Sequence, residues 1–313
     1  MSATSQIKEL LDVNTTLDRQ IKIITNLNKN MLLAETLYDV VRVFLSHAHL
    51  IRNPYTDAID IVGTGGDGKN TLNYSTLSAL VVSNSGYPII KHGNKSATSK
   101  CGSFDFLEKI GEPIPKDVTE AEDLLNKNKR VFLFAPYFHP IFQNVIKVRK
   151  HFSDLGEKTI FNILGPLLNP ARPKRMLVGV YKESLIQPYS EVLSALGVEY
   201  GCVVYGDGFD EFSVCGTSTY CKINHNKLTT HSFNPMDYGY TIANESQLSG
   251  GDSEQNYQLS KKLFSGEIIG PKKDMLELNI AFALYITNGF STPISKCIQQ
   301  SKAEIDHSRN ILD

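Results

Sequence analysis

The stretch GTGGDGKNTLNYST, from Gly63 to Thr76, constrains this fold more than any other. Four of its first six residues are glycine. Before it runs Ala58-Ile59-Asp60-Ile61-Val62, the pattern of a buried strand; after it Leu77, Leu80 and Val81 recur at helical spacing. The glycines therefore sit at a strand-to-helix turn. Glycine accepts positive φ and lets a ligand approach the backbone closely. A helix start adds unpaired N–H groups that suit anions. The stretch reads as a phosphate cradle, or as a tight turn with Asn73, Ser75 or Thr76 as ordinary caps. It is not a Walker loop, since no Gly-Lys-Ser/Thr follows in register. Gly63, Gly65 and Gly68 only approach the Rossmann spacing.

What surrounds this turn sets the class. The first 50 or so residues have helical periodicity, with Leu37, Val40, Val41, Phe44 and Leu45 on one stripe. From Ala58 onward, short apolar strands alternate with helices. Strands are expected at 87–91, 131–135, 176–180 and 202–205, and helices at 118–127, 141–152 and 184–196. Such alternation predicts an α/β fold: a mixed, mostly parallel central sheet flanked by helices. Residues 210–232 read as consecutive strands with a hairpin near Asn224–Asn226. Leu276, Ile280, Ala283 and Leu284 place a late helix with one apolar face.

Charge narrows the partners. Lys+Arg is 32 and Asp+Glu is 33, so no excess of positive charge draws the chain to nucleic acid. Five cysteines, an odd number with no Cys-x-x-Cys, read as thiols in a reducing compartment. MSATSQIKEL carries no apolar signal core, and no window approaches a membrane span. A cytoplasmic protein with no membrane partner is expected.

Four further segments carry chemistry. KHGNKSATSKCGSFDFLEKIG, Lys91 to Gly111, crowds cations, hydroxyls and a glycine just after a strand. These groups partner phosphate oxygens well, although a solvated loop has similar composition. GDGFDEFSVCG sets Asp210 beside Glu211 near two glycines. Paired carboxylates hold magnesium together with a substrate phosphate; an exposed acidic turn looks the same. In FAPYFHPIFQNVIKVRKHF, Ile141, Val145, Val148 and Phe152 form a buried stripe bordered by Arg149. That guanidinium could clamp a carboxylate or simply reach water. TIFNILGPLLNP, from Thr159, suits either a wall for a flat ligand or a packed loop.

In this order the five segments resemble the anthranilate phosphoribosyltransferases. The first looks like that family's pyrophosphate loop and the second like its KHGN segment. FNILGPLLNP, GDGFDE and GPKKDMLELNIAFALYI match further signatures, from Asp60 to roughly Leu312. Lys95 stands where the family usually has arginine, Tyr137-Phe138 replaces a more usual polar-Tyr pair, and the first 50 or so residues are diverged.

The resemblance implies transfer of the phosphoribosyl group of phosphoribosyl pyrophosphate (PRPP) to the amine of anthranilate, in tryptophan biosynthesis. It implies PRPP contacts from Gly63, Gly66, Asp67, Thr71, Asn73, Tyr74, Ser75 and Thr76. Further PRPP contacts would come from Lys91, His92, Gly93, Asn94, Lys95, Ser96, Ala97, Thr98, Ser99 and Ser103. Gly63, Asn94 and Arg149 would meet anthranilate; Ser75, Asp210 and Glu211 would hold two magnesium ions per chain. No residue is nominated as a general acid or base. A small all-helical domain of residues 1–55 plus about 137–157, an α/β domain of 56–136 plus 158–313, and a homodimer are also implied. Two alternatives stay open: a pyrimidine-nucleoside phosphorylase-like enzyme, and a nucleic-acid-binding relative without the activity. The Asp-Glu pair and FNILGPLLNP favour the transferase over the first, and the near-neutral charge speaks against the second.

Overall fold

The computed structural model describes residues 2–95 and 100–312. Three helices open the chain: α1 (Ala3–Leu11), α2 (Leu17–Lys29) and α3 (Ala34–Ser46). Then come β1 (Ile59–Gly63), α4 (Tyr74–Asn84), β2 (Ile89–Gly93), α5 (Ser103–Lys109), α6 (Val118–Asn128), β3 (Arg130–Phe134) and α7 (Ala135–Phe138). A 3-10 turn, Pro140–Val145, leads into α8 (Ile146–Asp154). Next follow β4 (Arg175–Gly179), α9 (Ile186–Ala195), β5 (Tyr200–Tyr205) and the hairpin of β6 (Ser218–Asn224) and β7 (Lys227–Phe233). The last helices are α10 (Ser253–Phe264), α11 (Pro271–Thr287) and α12 (Ile294–His307).

The strands form one sheet in the order β3-β2-β1-β4-β5-β6-β7. It is parallel through β5, and β6 and β7 add on antiparallel. The mostly parallel sheet expected from the alternation is therefore present. Period two divides its side chains between two cores. Ile59, Ile61, Leu177, Cys202 and Val204 face the side covered by α4, α11 and α12. Val62, Met176, Val178 and Val203 face the other side, in one apolar cluster with residues of α1, α2, α3, α8 and α9. After β1 the chain first adds strands to one side and then, at β4, to the other. Such a reversal opens a crevice at the carboxyl ends of the central strands, the usual ligand position in open α/β sheets.

The opening helices dock where the 140–154 segment returns. α1 packs on the 3-10 turn and α2 on α8. The Gln20 side chain donates to the Asn144 carbonyl at 3.0 Å, and Asn144 donates to the Leu11 carbonyl at 2.8 Å. The stripe from Leu37 to Leu45 is buried as its spacing predicts.

Three expectations are corrected. Residues 210–216 form no strand. The Phe212 backbone is instead bonded by one side chain: its N–H donates to Asn279 Oδ1 at 3.1 Å and its carbonyl accepts from Asn279 Nδ2 at 2.8 Å. The expected helix over 141–152 begins as the 3-10 turn, entered at Pro140. And α11 has no single apolar face: it is sandwiched between α4, α12 and the sheet, so nearly every position from Met275 to Ile286 is buried.

Candidate active site

The glycine turn leaves β1 at the crevice. Gly65, Gly66 and Gly68 take φ of +63°, +76° and +77°, so the glycines are needed for the path of the chain. Thr64 stitches the turn to β4: its N–H donates to the Gly179 carbonyl at 3.0 Å, and its hydroxyl accepts from the Tyr181 N–H at 3.0 Å. Asp67 accepts from the Lys69 N–H at 3.0 Å, and Lys69 pairs with Glu245. Ser75 lies half-buried in the first turn of α4, at the positive end of the helix dipole, which favours an anion.

Gly63 does something different. A Cβ there would stand 2.3 Å from Asp210 Oδ2. Its register partner on β4 is Gly179, where a Cβ would stand 1.4 Å from the Asp210 carbonyl oxygen. Two strands without side chains at this level let the acidic segment lie directly on the sheet. Asp210 Oδ2 then accepts from the Gly65 N–H at 2.6 Å, which ties the acid to the glycine turn.

The carboxylates so assembled are under-compensated. Burial raises the pKa of Asp210, against the pull of the Gly65 N–H and Lys91. Burial raises Asp67 too, and the neighbouring Asp210 raises it further. Glu211 is pushed well above the carboxylate range by burial and then by Asp210 and Asp67. Its Oε2 is buried with no hydrogen-bond partner. An unpartnered, buried carboxylate oxygen beside two other acids is the electrostatic setting a divalent cation relieves. Among the described residues no three His, Cys, Asp or Glu side chains form a complete metal-ligand set. Ligands for a cation would therefore have to include a hydroxyl and phosphate oxygens, the donor set magnesium prefers.

Lys91 and His92 are not solvent-facing loop groups. Lys91 is 2% exposed and donates from Nζ to the Ile61 carbonyl. Burial lowers its pKa, while Asp60, Glu211 and Asp210 raise it. It is thus the cation beneath the acidic cluster. Asp60 is fully buried and is raised to about 6 by burial; Asn169 Nδ2 donates to its Oδ2 at 2.8 Å. His92 is also buried, with Nδ1 3.3 Å from the Gly165 carbonyl and its ring 5.1 Å from that of His139. Burial first, and His139 next, hold its pKa well below the usual value, so the imidazole is neutral.

The remaining sequence candidates divide. Gly93 lets Ser103 close in, since a Cβ would stand 2.5 Å from Ser103 Oγ, and Ser103 donates to the Asn94 carbonyl at 3.1 Å. The Asn94 side chain is exposed at the crevice, its Oδ1 accepting from the Lys95 N–H. Lys95 is drawn away by Glu108 at 2.8 Å. The Asn73 amide is committed to structure, donating to the Cys101 carbonyl at 3.2 Å and accepting from Asn256 Nδ2 at 2.9 Å. Thr71 pairs with Ser249 in an isolated bridge. Tyr74 and Thr76 turn into the core, 0% and 1% exposed, with their N–H groups bonded to the Leu72 and Asn73 carbonyls. Ser96, Ala97, Thr98 and Ser99 lie outside the described residues.

Arg149 is exposed, yet its guanidinium lies 5.2 Å from the Phe142 ring centre and 5.6 Å from that of Phe161. Loss of hydration there lowers its pKa. It forms no ion pair among the described residues, which leaves a cation beside aromatic surface and ready for a carboxylate.

Two contributors gave no sequence signal. Gly179 matters only through its register with Gly63. Lys158 donates to the Gly66 carbonyl at 2.6 Å, with Nζ 3.8 Å from the Tyr181 ring centre. It is a cation over the glycine turn, brought from 92 residues away.

Comparison with known proteins gives the family. Residues 55–308 match the Glycosyl transferase family, a/b domain. The anthranilate phosphoribosyltransferase of Oleidesulfovibrio alaskensis is 38% identical over 272 residues, 87% of this chain and 81% of that protein. That of Endomicrobium trichonymphae is 41% identical over 264 residues, 83% of this chain and 77% of its own. Among solved structures, anthranilate phosphoribosyltransferase from Thermus thermophilus superposes with a TM-score of 0.86 at 29% identity, covering 99% of this chain and 94% of that one. The Saccharomyces cerevisiae enzyme in complex with PRPP and Mg superposes with a TM-score of 0.84 at 30% identity, covering 99% and 90%. The chain belongs to the anthranilate phosphoribosyltransferase family of glycosyltransferases.

Proposed function

We propose that this site transfers the phosphoribosyl group of PRPP to the amine of anthranilate, giving N-(5-phosphoribosyl)anthranilate and pyrophosphate. One observation carries the reading. At the ends of β1 and β4, a positive-φ glycine turn meets two buried, under-compensated carboxylates, Asp210 and Glu211. The turn would receive the pyrophosphate through the backbone N–H groups of Gly66, Asp67 and Gly68, with that of Ser75 at the α4 start. Asp210, Glu211 and Ser75 would hold magnesium, two ions per chain, which when bound neutralises charge on the departing pyrophosphate.

Arg149 and Asn94 would hold the anthranilate carboxylate and point its amine at the anomeric carbon. The amine lone pair forms the C–N bond as the C–O bond to pyrophosphate breaks. The nitrogen then loses a proton to solvent, and positioning supplies most of the acceleration. The neutral His92 supplies no charge to this step.

Residues 1–55 plus about 137–157 act in this reading as a small helical unit. The packing of α1 on the 3-10 turn and of α2 on α8 supports this. The exposed Val13, Leu17, Leu32, Leu33 and Ile146 support a homodimer through that unit. Five thiols suit the cytoplasm.

Anthranilate fluorescence tests the whole. It should fall when the protein, PRPP and magnesium are mixed with anthranilate, and should hold steady without magnesium. Unchanged fluorescence with phosphate-dependent cleavage of a pyrimidine nucleoside would give the site to the phosphorylase reading.

A further inference from the structure

A second concavity lies at the other end of the sheet. The site above occupies the carboxyl ends of the strands, at Gly63, Gly93 and Gly179. This cavity, about 320 Å³, is lined by Met176 at the start of β4, by one stripe of α3, by the end of α9 and by the back of the GPLLNP loop. Its floor is apolar: Leu45, Leu167, Met176, Leu193 and Val198 are all buried. Two guanidinium groups line it from separate elements. Arg42 projects from α3, one turn from Tyr38, with its guanidinium 5.6 Å from that ring centre. Arg172 follows the GPLLNP loop with a left-handed φ of +46°, a backbone rarely taken by a residue with a side chain. Both are exposed, and neither makes an ion pair among the described residues.

An apolar floor with two unpaired, planar cations beside it selects a particular ligand. The volume is within the range of small-molecule sites. A guanidinium binds a carboxylate through two parallel hydrogen bonds, and the floor gains by covering an apolar body. We propose that this cavity binds a small apolar carboxylate, its acid group between Arg42 and Arg172 and its body on Leu45, Leu167 and Met176. The cavity backs onto the active site. Asn169, in its wall, donates to Asp60 Oδ2 and to the Ile90 carbonyl, both at 2.8 Å. Gly165, in the same loop, meets His92 with its carbonyl. A ligand here leans on the rear of the loop that supports the buried Asp60 and His92.

Fluorine NMR titration of 4-(trifluoromethyl)benzoate into the full chain tests this. Because the active site also takes an aromatic carboxylate, the titration is run on Arg149→Ala protein as well as wild type. Saturable binding should persist in Arg149→Ala. In the same Arg149→Ala background it should weaken at least about ten-fold in the Arg42→Ala/Arg172→Ala double variant, the loss expected for charge-assisted hydrogen bonds. The neutral 4-(trifluoromethyl)benzamide should bind Arg149→Ala protein at least about ten-fold more weakly than the acid for the same reason. Both arginines are exposed, so the double variant should keep the wild-type fold, which circular dichroism checks. Three results overturn the proposal: no saturable binding to Arg149→Ala protein, undiminished affinity in the folded double variant, or equal affinity for the amide.

Discussion

Gly66 and Gly179 are both glycines of the active site, and they are needed for opposite reasons. Gly66 has φ of +76° and room around it: the nearest atom a Cβ would meet is Lys158 Nζ at 3.4 Å, the end of a flexible side chain. Gly179 has ordinary strand backbone and no room, since its Cβ would lie 1.4 Å from the Asp210 carbonyl oxygen. One glycine is required by conformation, the other by space. Strain at a turn is local and small, whereas a backbone collision at the centre of a sheet moves whatever lies on it. Here that is the segment bearing the two carboxylates.

The largest effect should therefore come from Gly179→Ala. The added methyl cannot coexist with the Asp210 backbone, so the acidic segment must lift or the fold must fail. Soluble yield and Tm should drop sharply, and any folded fraction should lack magnesium-dependent turnover. A stable, active Gly179→Ala enzyme would break the comparison at its spatial end.

Next is Glu211→Gln, which keeps the shape of that segment and removes charge. Turnover should be lost while the fold persists. The sign of its stability effect follows from the raised pKa of Glu211. The folded state holds this proton more tightly than the unfolded chain, so stability falls as pH rises through the folded pKa. Ligand-free Glu211→Gln should then exceed wild type in Tm, by a margin that widens as pH rises above the ordinary carboxylate range. A Tm below wild type throughout that rise would mean the acid is satisfied without a metal.

Arg149→Ala lies outside both glycine environments and serves as a reference. It should raise the Michaelis constant for anthranilate by about ten- to a hundred-fold, from about 1.5–3 kcal/mol of charge-assisted bonding. The constant for PRPP should move much less. Equal changes in both would point to a hinge or folding role.

Gly66→Ala should cost only about 1–2 kcal/mol, the strain of left-handed backbone. It should weaken PRPP binding modestly in calorimetry, while the β-branched Gly66→Val should abolish it. A folded Gly66→Val protein with wild-type affinity would move the cradle to the KHGN segment.

The smallest effect concerns Asp60, raised from 3.8 to about 6. Between those values the unfolded chain has released a proton that the folded chain keeps, so this residue makes stability decline as pH rises across the window. Asp60→Asn should flatten the Tm-against-pH curve there relative to wild type, and an unchanged slope would mean Asp60 ionises freely.

Much of this site is legible in the amino-acid order alone. The strand-turn-helix at 59–84 follows from a change of periodicity at Ala58 and from the glycine density after it. The acidic pair and Arg149 stand out as charges in apolar or glycine-rich company. Side-chain orientation is not legible in the same way. Tyr74, Thr76 and Lys91 sit in the same motifs as Ser75 and Asn94, yet the first three are buried and the last two are not. Residues 210–216 alternate like a strand, but Asn279 of α11 takes the backbone bonds of Phe212 that a neighbouring strand would have made.

Local sequence determined the element types, the path of the glycine turn and the chemical groups available, because propensity, periodicity and positive φ act over a few residues. Only the tertiary structure decided that Gly63 and Gly179 face each other, that Asp210 lies on both, that Lys158 reaches Gly66, and that Lys91 carries its charge beneath the acids. Each of these depends on residues far apart in the chain meeting at set distances. Register and packing establish such distances, and a one-dimensional pattern does not record them.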